Sequence, residues 1–290
     1  MSAVGATADG AGPDARHGRR ILIIWAVANL VLVPIVIWVL GPHIPPHNAS
    51  QQASDQHDVN VVLSALATPV LLMIWVYFGY SIAVFRQRGG EVVDGPPIEG
   101  DPRIQVTWLV VTTTIVLALA IYGTVGLLGN SNGAGGGQGP TPLSKPANAA
   151  SALQVQVIGQ QWLWTFRWPG YGGVETPYLV LPVNREVEFH VTSLDVAHSF
   201  WAYELGVKAD AIPGNDNVAF VKPTQLRSFQ IRCAELCGLW HGHMNTTGQV
   251  VSQTAFNGWI AQAQIRYRGV TQQLPPYSRV YYPAPDQRAG

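Results

Sequence analysis

The 290-residue sequence is 48% hydrophobic and only 12% charged, with 17 acidic residues balancing 17 basic ones. Its mean hydropathy of +0.15 points to a membrane component rather than a large soluble core. Balanced charge with no dense basic block argues against a nucleic-acid partner, and two cysteines are too few for a disulfide-stapled scaffold.

In chain order, residues 1–20 read as a cytoplasmic tail ending in Arg16, Arg19 and Arg20. Three stretches without Asp, Glu, Lys or Arg follow: Ile21–Leu40, Val59–Phe85 and Ile104–Leu128. Each is long enough to cross a bilayer, which takes about 20 helical residues, and buried helices of soluble proteins rarely stay uncharged on every face for so long. The expectation is a first transmembrane helix at 21–41 and a transmembrane helical hairpin at 59–128, joined by a loop at 86–103. Arg86, Arg88 and Arg103 in that loop, with the arginines of the tail, place both on the cytoplasmic side, so everything after Leu128 lies outside. The first stretch has a second reading, a signal peptide. Its apolar run exceeds the usual length and no small-residue cleavage site follows in Gly41–Pro46, which favours a retained helix.

Residues 129–151 are rich in Gly, Asn and Pro and read as a flexible linker. The hydrophobic period then becomes two, in Leu153/Val155/Val157, Val187/Phe189/Val191 and Phe229/Ile231/Cys233. Short half-buried strands separated by Pro and Gly turns predict an all-β Greek-key sandwich over 152–267, closed by a helix at Thr254–Tyr267. Residues 268–290 read as an extended Pro- and Tyr-rich tail.

The chemistry concentrates in Cys233-Ala-Glu-Leu-Cys237-Gly-Leu-Trp-His241-Gly-His-Met244. Thiolate, imidazole and thioether are the donors that suit copper, and Cys, His and a weak Met mark copper electron-transfer sites. A mononuclear site needs one thiolate; two at i, i+4 allow both sulfurs to bridge a metal pair. If the segment is helical, the Cβ atoms lie about 5–6 Å apart, too far for a disulfide. A short-loop disulfide remains the alternative for a domain outside the cytoplasm. Apart from Met1 and Met73, Met244 is the only methionine in the chain. The second imidazole must come from elsewhere, and His198, after a strand and before an aromatic residue, is the candidate. His190 reads as solvated on its strand, and His243 as exposed beside the site.

This run resembles subunit II of cytochrome c oxidases, whose CuA pattern CxExCxxxHxxM is matched by Cys233, Glu235, Cys237, His241 and Met244. Further agreement lies in His198-Ser199, in Gly206-Val-Lys208-Ala-Asp210-Ala-Ile-Pro213-Gly214 and in Gln161-Trp162-Leu-Trp164. The resemblance covers most of Ala152–Tyr267 and extends to the preceding helical hairpin. It implies a cupredoxin-like domain with dinuclear copper bridged by Cys233 and Cys237. His198 and His241 would each ligate one copper, Met244 would bind weakly, and Glu235 would ligate through its carbonyl while offering its carboxylate to a magnesium ion shared with subunit I. Trp162 would be the electron entry point. The implied partners are the haem–copper subunit I and other oxidase subunits, a cytochrome c donor and membrane lipid.

Two departures narrow this. Gln105, three residues before Trp108, stands where many relatives carry a Glu used in proton entry, so Glu99 or Asp101 substitutes or protons take another route. The acidic residues that often follow the aromatic run are replaced by Thr165, Phe166 and Arg167, and residues 151–268 hold eight acidic and eight basic side chains. Weak charge steering implies a tethered or less basic cytochrome as donor. Rival readings are the CuA subunit of a nitric oxide reductase, a membrane-anchored copper-delivery or thiol-redox protein, and a quinol oxidase subunit, which typically lacks these ligands.

Overall fold

The computed structural model describes residues 13–46, 48–86, 89, 100–129 and 132–273. Most of the predicted 1–20 tail, most of the 86–103 loop with Arg88 and Glu99, and residues 274–290 of the predicted extended tail lie outside them. The chain forms two compact units, residues 1–44 with 58–106, and residues 45–57 with 107–290.

Three helices are long and apolar enough to cross a membrane: α1 (Pro13–Ile35), α2 (Gln51–Phe85) and α3 (Pro102–Leu128). Pro34 lacks the N–H that would continue the ladder, and beyond it the path widens into a π turn at Val36–Leu40 and tightens into a 3-10 turn at Gly41–His43. In the first unit α1 runs antiparallel to α2: Trp25 Nε1 donates to the Pro69 carbonyl at 2.8 Å, and His17 Nδ1 lies 2.8 Å from the Tyr80 hydroxyl. An indole N–H among apolar side chains needs such an acceptor. At the start of α3 the Asp101 carboxylate accepts from Arg103 N at 2.8 Å, so this acid serves as a helix cap.

The second apolar helix starts eight residues before the predicted Val59, because its polar first turns have work in the second unit. The Ser50 hydroxyl accepts from Ala53 N and donates to the Leu205 carbonyl. The Gln52 amide donates to the Asn132 carbonyl, and its oxygen accepts from Lys222 N. Gln52 and Ala53 are buried. Periodicity could not anticipate a polar turn that is stabilised by distant backbone.

The β domain holds two five-stranded sheets. One contains β1 (Leu153–Gln160), β2 (Leu163–Trp168), β3 (Val174–Thr176), β5 (Val187–Ser193) and β8 (Asn217–Val221) in the order β3-β2-β1-β5-β8. The other contains β4 (Leu179–Pro182), β6 (His198–Ala202), β7 (Val207–Ala211), β9 (Arg227–Cys233) and β10 (Asn245–Val251) in the order β4-β10-β9-β6-β7. The chain crosses repeatedly between sheets, as in a Greek key. Val155, Val157, Phe166, Phe189, Phe200, Phe229 and Ile231, all fully or almost fully buried, fill the core, as the period-two pattern predicts. The closing helix is α4 (Gln253–Arg266), capped by the Ser252 hydroxyl and burying Phe256, Ile260 and Ala263. It is followed by α5 (Arg268–Gln273), a helical turn where the sequence predicts extended chain.

The predicted flexible linker is also different where described. Residues 134–139 lie along β7 and β8: Phe220 N donates to Ala134 O, Lys208 N to Gly135 O, Gly137 N to Lys208 O and Val218 N to Gly139 O. A Cβ on Gly135 would stand 2.1 Å from the Gly206 carbonyl oxygen. The glycine here permits close approach of two backbones rather than freedom of movement.

His190 is buried rather than solvated, its Nδ1 3.0 Å from the Asp216 carboxylate, which supplies the polar partner that burial demands. Glu186 is 3% exposed, and its Oε1 has no hydrogen-bond partner among the described residues. Burial pushes its carboxyl up to about 7 against the pull of Lys222. The folded protein therefore holds this proton more tightly than the unfolded chain, whose reference value is 4.5, and the resulting stability is lost as pH rises from the lower value through the higher one. Glu186→Gln is expected to flatten that dependence, gaining about 3 kcal/mol relative to the parent between pH 4.5 and pH 8, as read from unfolding transitions at both pH values.

Candidate metal centre

The centre forms where β6 and β9 meet. Phe200 on β6 pairs with Cys233 at the end of β9, which puts His198, two residues earlier on β6, beside the Cys233 thiol. After Cys233 the chain leaves the sheet and returns at Asn245; Cys233 N donates to the Met244 carbonyl at 3.0 Å and Ala234 N to the Ser199 carbonyl at 2.9 Å. The loop between is therefore clamped at its base. It is not the helix on which the sequence argument for the cysteine pair rested; only His241–His243 forms a 3-10 turn.

The fold-back brings the donors together. Cys233 Sγ and Cys237 Sγ are 3.7 Å apart, and both thiols are free and buried, far from the roughly 2.05 Å of a disulfide. His198 Nδ1 lies 3.8 Å from Cys233 Sγ, His241 Nδ1 3.6 Å from Cys237 Sγ, and Met244 Sδ 3.9 Å from Cys237 Sγ. The Glu235 carbonyl accepts from Cys233 Sγ at 3.2 Å, while the residue itself is exposed. Ligand atoms of His198, Cys233 and Cys237 all fall within 4.8 Å of one another, a grouping able to hold a metal ion. Metal–thiolate bonds of about 2.3 Å meet across a 3.7 Å sulfur pair, so the pair can be bridged from either side. Burial, with the hydrogen bond and charge of Cys233, pushes the Cys237 thiol up to about 11, so a metal must displace a proton there.

His198 is fully buried, and its Nε2 is 2.9 Å from Asp195 Oδ1. Burial works against ionising Asp195, but hydrogen bonds from Gln161 N, His198 and Val196 N outweigh it and hold the carboxyl below the usual carboxylate range. The aspartate thus accepts from Nε2 and leaves Nδ1 turned to the thiol. Sequence reasoning missed this residue, although its i, i+3 spacing from His198 was a signal. His243 is exposed, as predicted, and its ring lies tilted at 57° to that of Trp240, with centroids 5.3 Å apart.

Trp162 is half-buried against the centre. Its Nε1 donates to the Cys237 carbonyl at 3.1 Å, and the Gln161 amide donates to the same oxygen at 2.8 Å. Gly238, at φ +114°, makes room: a Cβ there would stand 3.0 Å from the Gln161 amide and 3.2 Å from the Trp162 ring. Arg167, two residues past the aromatic run's neighbour Thr165, is buried and paired with Glu175 and Gln156, so it adds no cation to the surface beside Trp162.

A family model described as cytochrome c oxidase subunit II, periplasmic domain, matches residues 174–251. Cytochrome c oxidase subunit 2 of Bacillus subtilis is 30% identical over 257 residues, covering 85% of this chain and 68% of that protein. The same subunit of Thermostichus vulcanus is 28% identical over 282 residues, covering 83% and 85%. Among solved structures, the periplasmic domain of subunit II of cytochrome oxidase from Bradyrhizobium japonicum is 31% identical, with a TM-score of 0.39, covering 40% of this chain and 95% of that domain. With the Bacillus subtilis protein 30% identical and matched along most of both chains, the chain belongs to the cytochrome c oxidase subunit 2 family.

Proposed function

We propose that this oxidase subunit takes electrons from a reduced cytochrome c at Trp162 and passes them, through a dinuclear copper centre at the β6–β9 junction, toward haem in subunit I for the reduction of oxygen to water. The observation that carries this is the pair of free thiols 3.7 Å apart with an imidazole nitrogen on each. Cys233 and Cys237 would bridge the metals, His198 and His241 would each hold one, and Met244 and the Glu235 carbonyl would complete the set. A copper pair bound there would accept and release one electron at a time. The protein's part is to hold the donors rigid: the loop base is clamped, His198 is oriented by Asp195, and Trp162 is fixed on the carbonyl of a bridging cysteine. The exposed Glu235 carboxylate is the group that would reach a magnesium ion shared with subunit I. The β domain would lie outside the cytoplasm on three membrane spans with the N-terminus inside, and the domain would run over 152–267.

The test is copper content and EPR of the purified, copper-loaded protein. Two coppers per chain sharing one unpaired electron support the reading; a mononuclear spectrum ends it. For the entry point, Trp162→Leu is expected to lower kcat/KM for cytochrome c several-fold while the copper spectrum stays unchanged. Because residues 151–268 are charge-balanced, turnover should depend weakly on ionic strength. Strong suppression by salt would count against a weakly steered donor.

A further inference from the structure

Gln161 and Trp162 form the turn between β1 and β2, flanked by the paired Gln160 and Leu163. The main chain of this turn is anchored on one side. Gln161 N donates to Asp195 Oδ2 at 2.7 Å, and the other oxygen of that carboxylate lies 2.9 Å from His198 Nε2. On the other side both side chains of the turn converge on one atom, the Cys237 carbonyl oxygen, which the Gln161 amide meets at 2.8 Å and the Trp162 indole at 3.1 Å. A carbonyl oxygen has two lone pairs, so the two donors fill it without competing. Gly238 makes the approach possible: its φ is +114°, and a Cβ there would stand 3.0 Å from the Gln161 amide nitrogen and 3.2 Å from the indole ring.

Electron entry through Trp162 needs its indole held against the centre, yet the ring is only half-buried. Gln161 is exposed, and a long polar side chain gives up rotamer freedom when it is fixed. Burial does not demand its bond to Cys237; what the bond changes is geometry. With one lone pair of the carbonyl taken by the amide, the indole meets the oxygen from a single remaining direction. We propose that the Gln161 side chain is a positioning residue for electron entry: from a main chain pinned to Asp195, it fills the second lone pair of the Cys237 carbonyl and so fixes the Trp162 indole on that cysteine. This rests on the reading of Trp162 as the entry point and of Cys237 as a metal ligand. Gln161 thereby joins the two halves of the centre, the carboxylate behind His198 and the carbonyl of Cys237.

The test is Gln161→Met in the oxidase complex, because methionine has the same reach and no donor, while the main-chain N–H to Asp195 stays. Before copper loading, the ultraviolet resonance Raman difference between the parent and Trp162→Leu isolates this indole among the ten tryptophans of the chain. Gln161→Met should shift the band that reports its N–H hydrogen bond. After loading, kcat/KM for reduced cytochrome c should fall about two- to twelvefold, the range spanned by one uncharged hydrogen bond. The fall should lie in the rate of electron entry at saturating donor, with KM and copper content unchanged. In the Trp162→Leu background Gln161→Met should cost nothing further, because it acts through that ring. An unmoved indole band, a change confined to KM, loss of copper, an equal loss in the Trp162→Leu background, or unchanged kcat/KM where Trp162→Leu lowers it overturns the proposal. Unchanged kcat/KM in Trp162→Leu itself, with the band shift still present in Gln161→Met, removes the entry reading and leaves Gln161 as the group that positions the ring.

Discussion

Cys237→Ser is expected to abolish the proposed dinuclear centre and reduce cytochrome c-driven oxygen consumption to background, with the haem content of the complex unchanged. Cys237 is 3% exposed, and its sulfur is within 4 Å of Cys233 Sγ, His241 Nδ1 and Met244 Sδ. Three of the donor contacts therefore converge on one atom. A serine hydroxyl is nearly the same size but is a hard donor that keeps its proton at neutral pH, and one remaining thiolate cannot bridge a pair. Metal analysis should fall to at most one copper per chain. The sandwich itself should persist, because Phe200, Phe229 and Ile231, buried nearby, are untouched. Loss of folded protein instead would place Cys237 among the structural residues.

Asp195→Asn should weaken copper binding roughly 10–100-fold, the usual cost of losing a carboxylate behind a ligating histidine, the role proposed for His198. Asp195 Oδ1 fixes the tautomer of His198 by accepting from Nε2 at 2.9 Å. Asparagine keeps one oxygen for His198 Nε2 and Val196 N, which both lie on Oδ1, while its NH2 group then faces Gln161 N, which now donates to Oδ2. The loop should lose one hydrogen bond, at Gln161 N, and the negative charge facing the imidazole disappears. Competition with a chelator of known affinity measures the first effect, and a thermal melt checks the second. Unchanged affinity with a lowered melting temperature would make Asp195 a brace for the loop and no more.

The same residues show how far the sequence reached. The ligand types in Cys233–Met244 were legible because few chemistries need two thiols, an imidazole and a lone methionine so close together. Their geometry was not. A helix over the pair was one consistent reading, whereas the clamped loop depends on Cys233 N meeting Met244 O and Ala234 N meeting Ser199 O. Likewise the spacing of Asp195 from His198 and the place of Gln161 in the aromatic run did not disclose what either side chain does. Their roles arise only when the β1–β2 turn and the loop before β6 are brought to the Cys237 carbonyl and the His198 ring.

Composition and periodicity by themselves determined three apolar helices and a domain of alternating strands, because membrane insertion and half-burial are properties of local runs. Only the tertiary structure decided that the polar turns before Val59 belong to a helix, since Ser50 and Gln52 find their partners at Leu205, Asn132 and Lys222. It also decided that the glycine-rich segment after α3 is fastened to β7 and β8. Glycine reads as freedom when its neighbours are unknown; beside the Gly206 carbonyl, its missing side chain is what allows two backbones to pair.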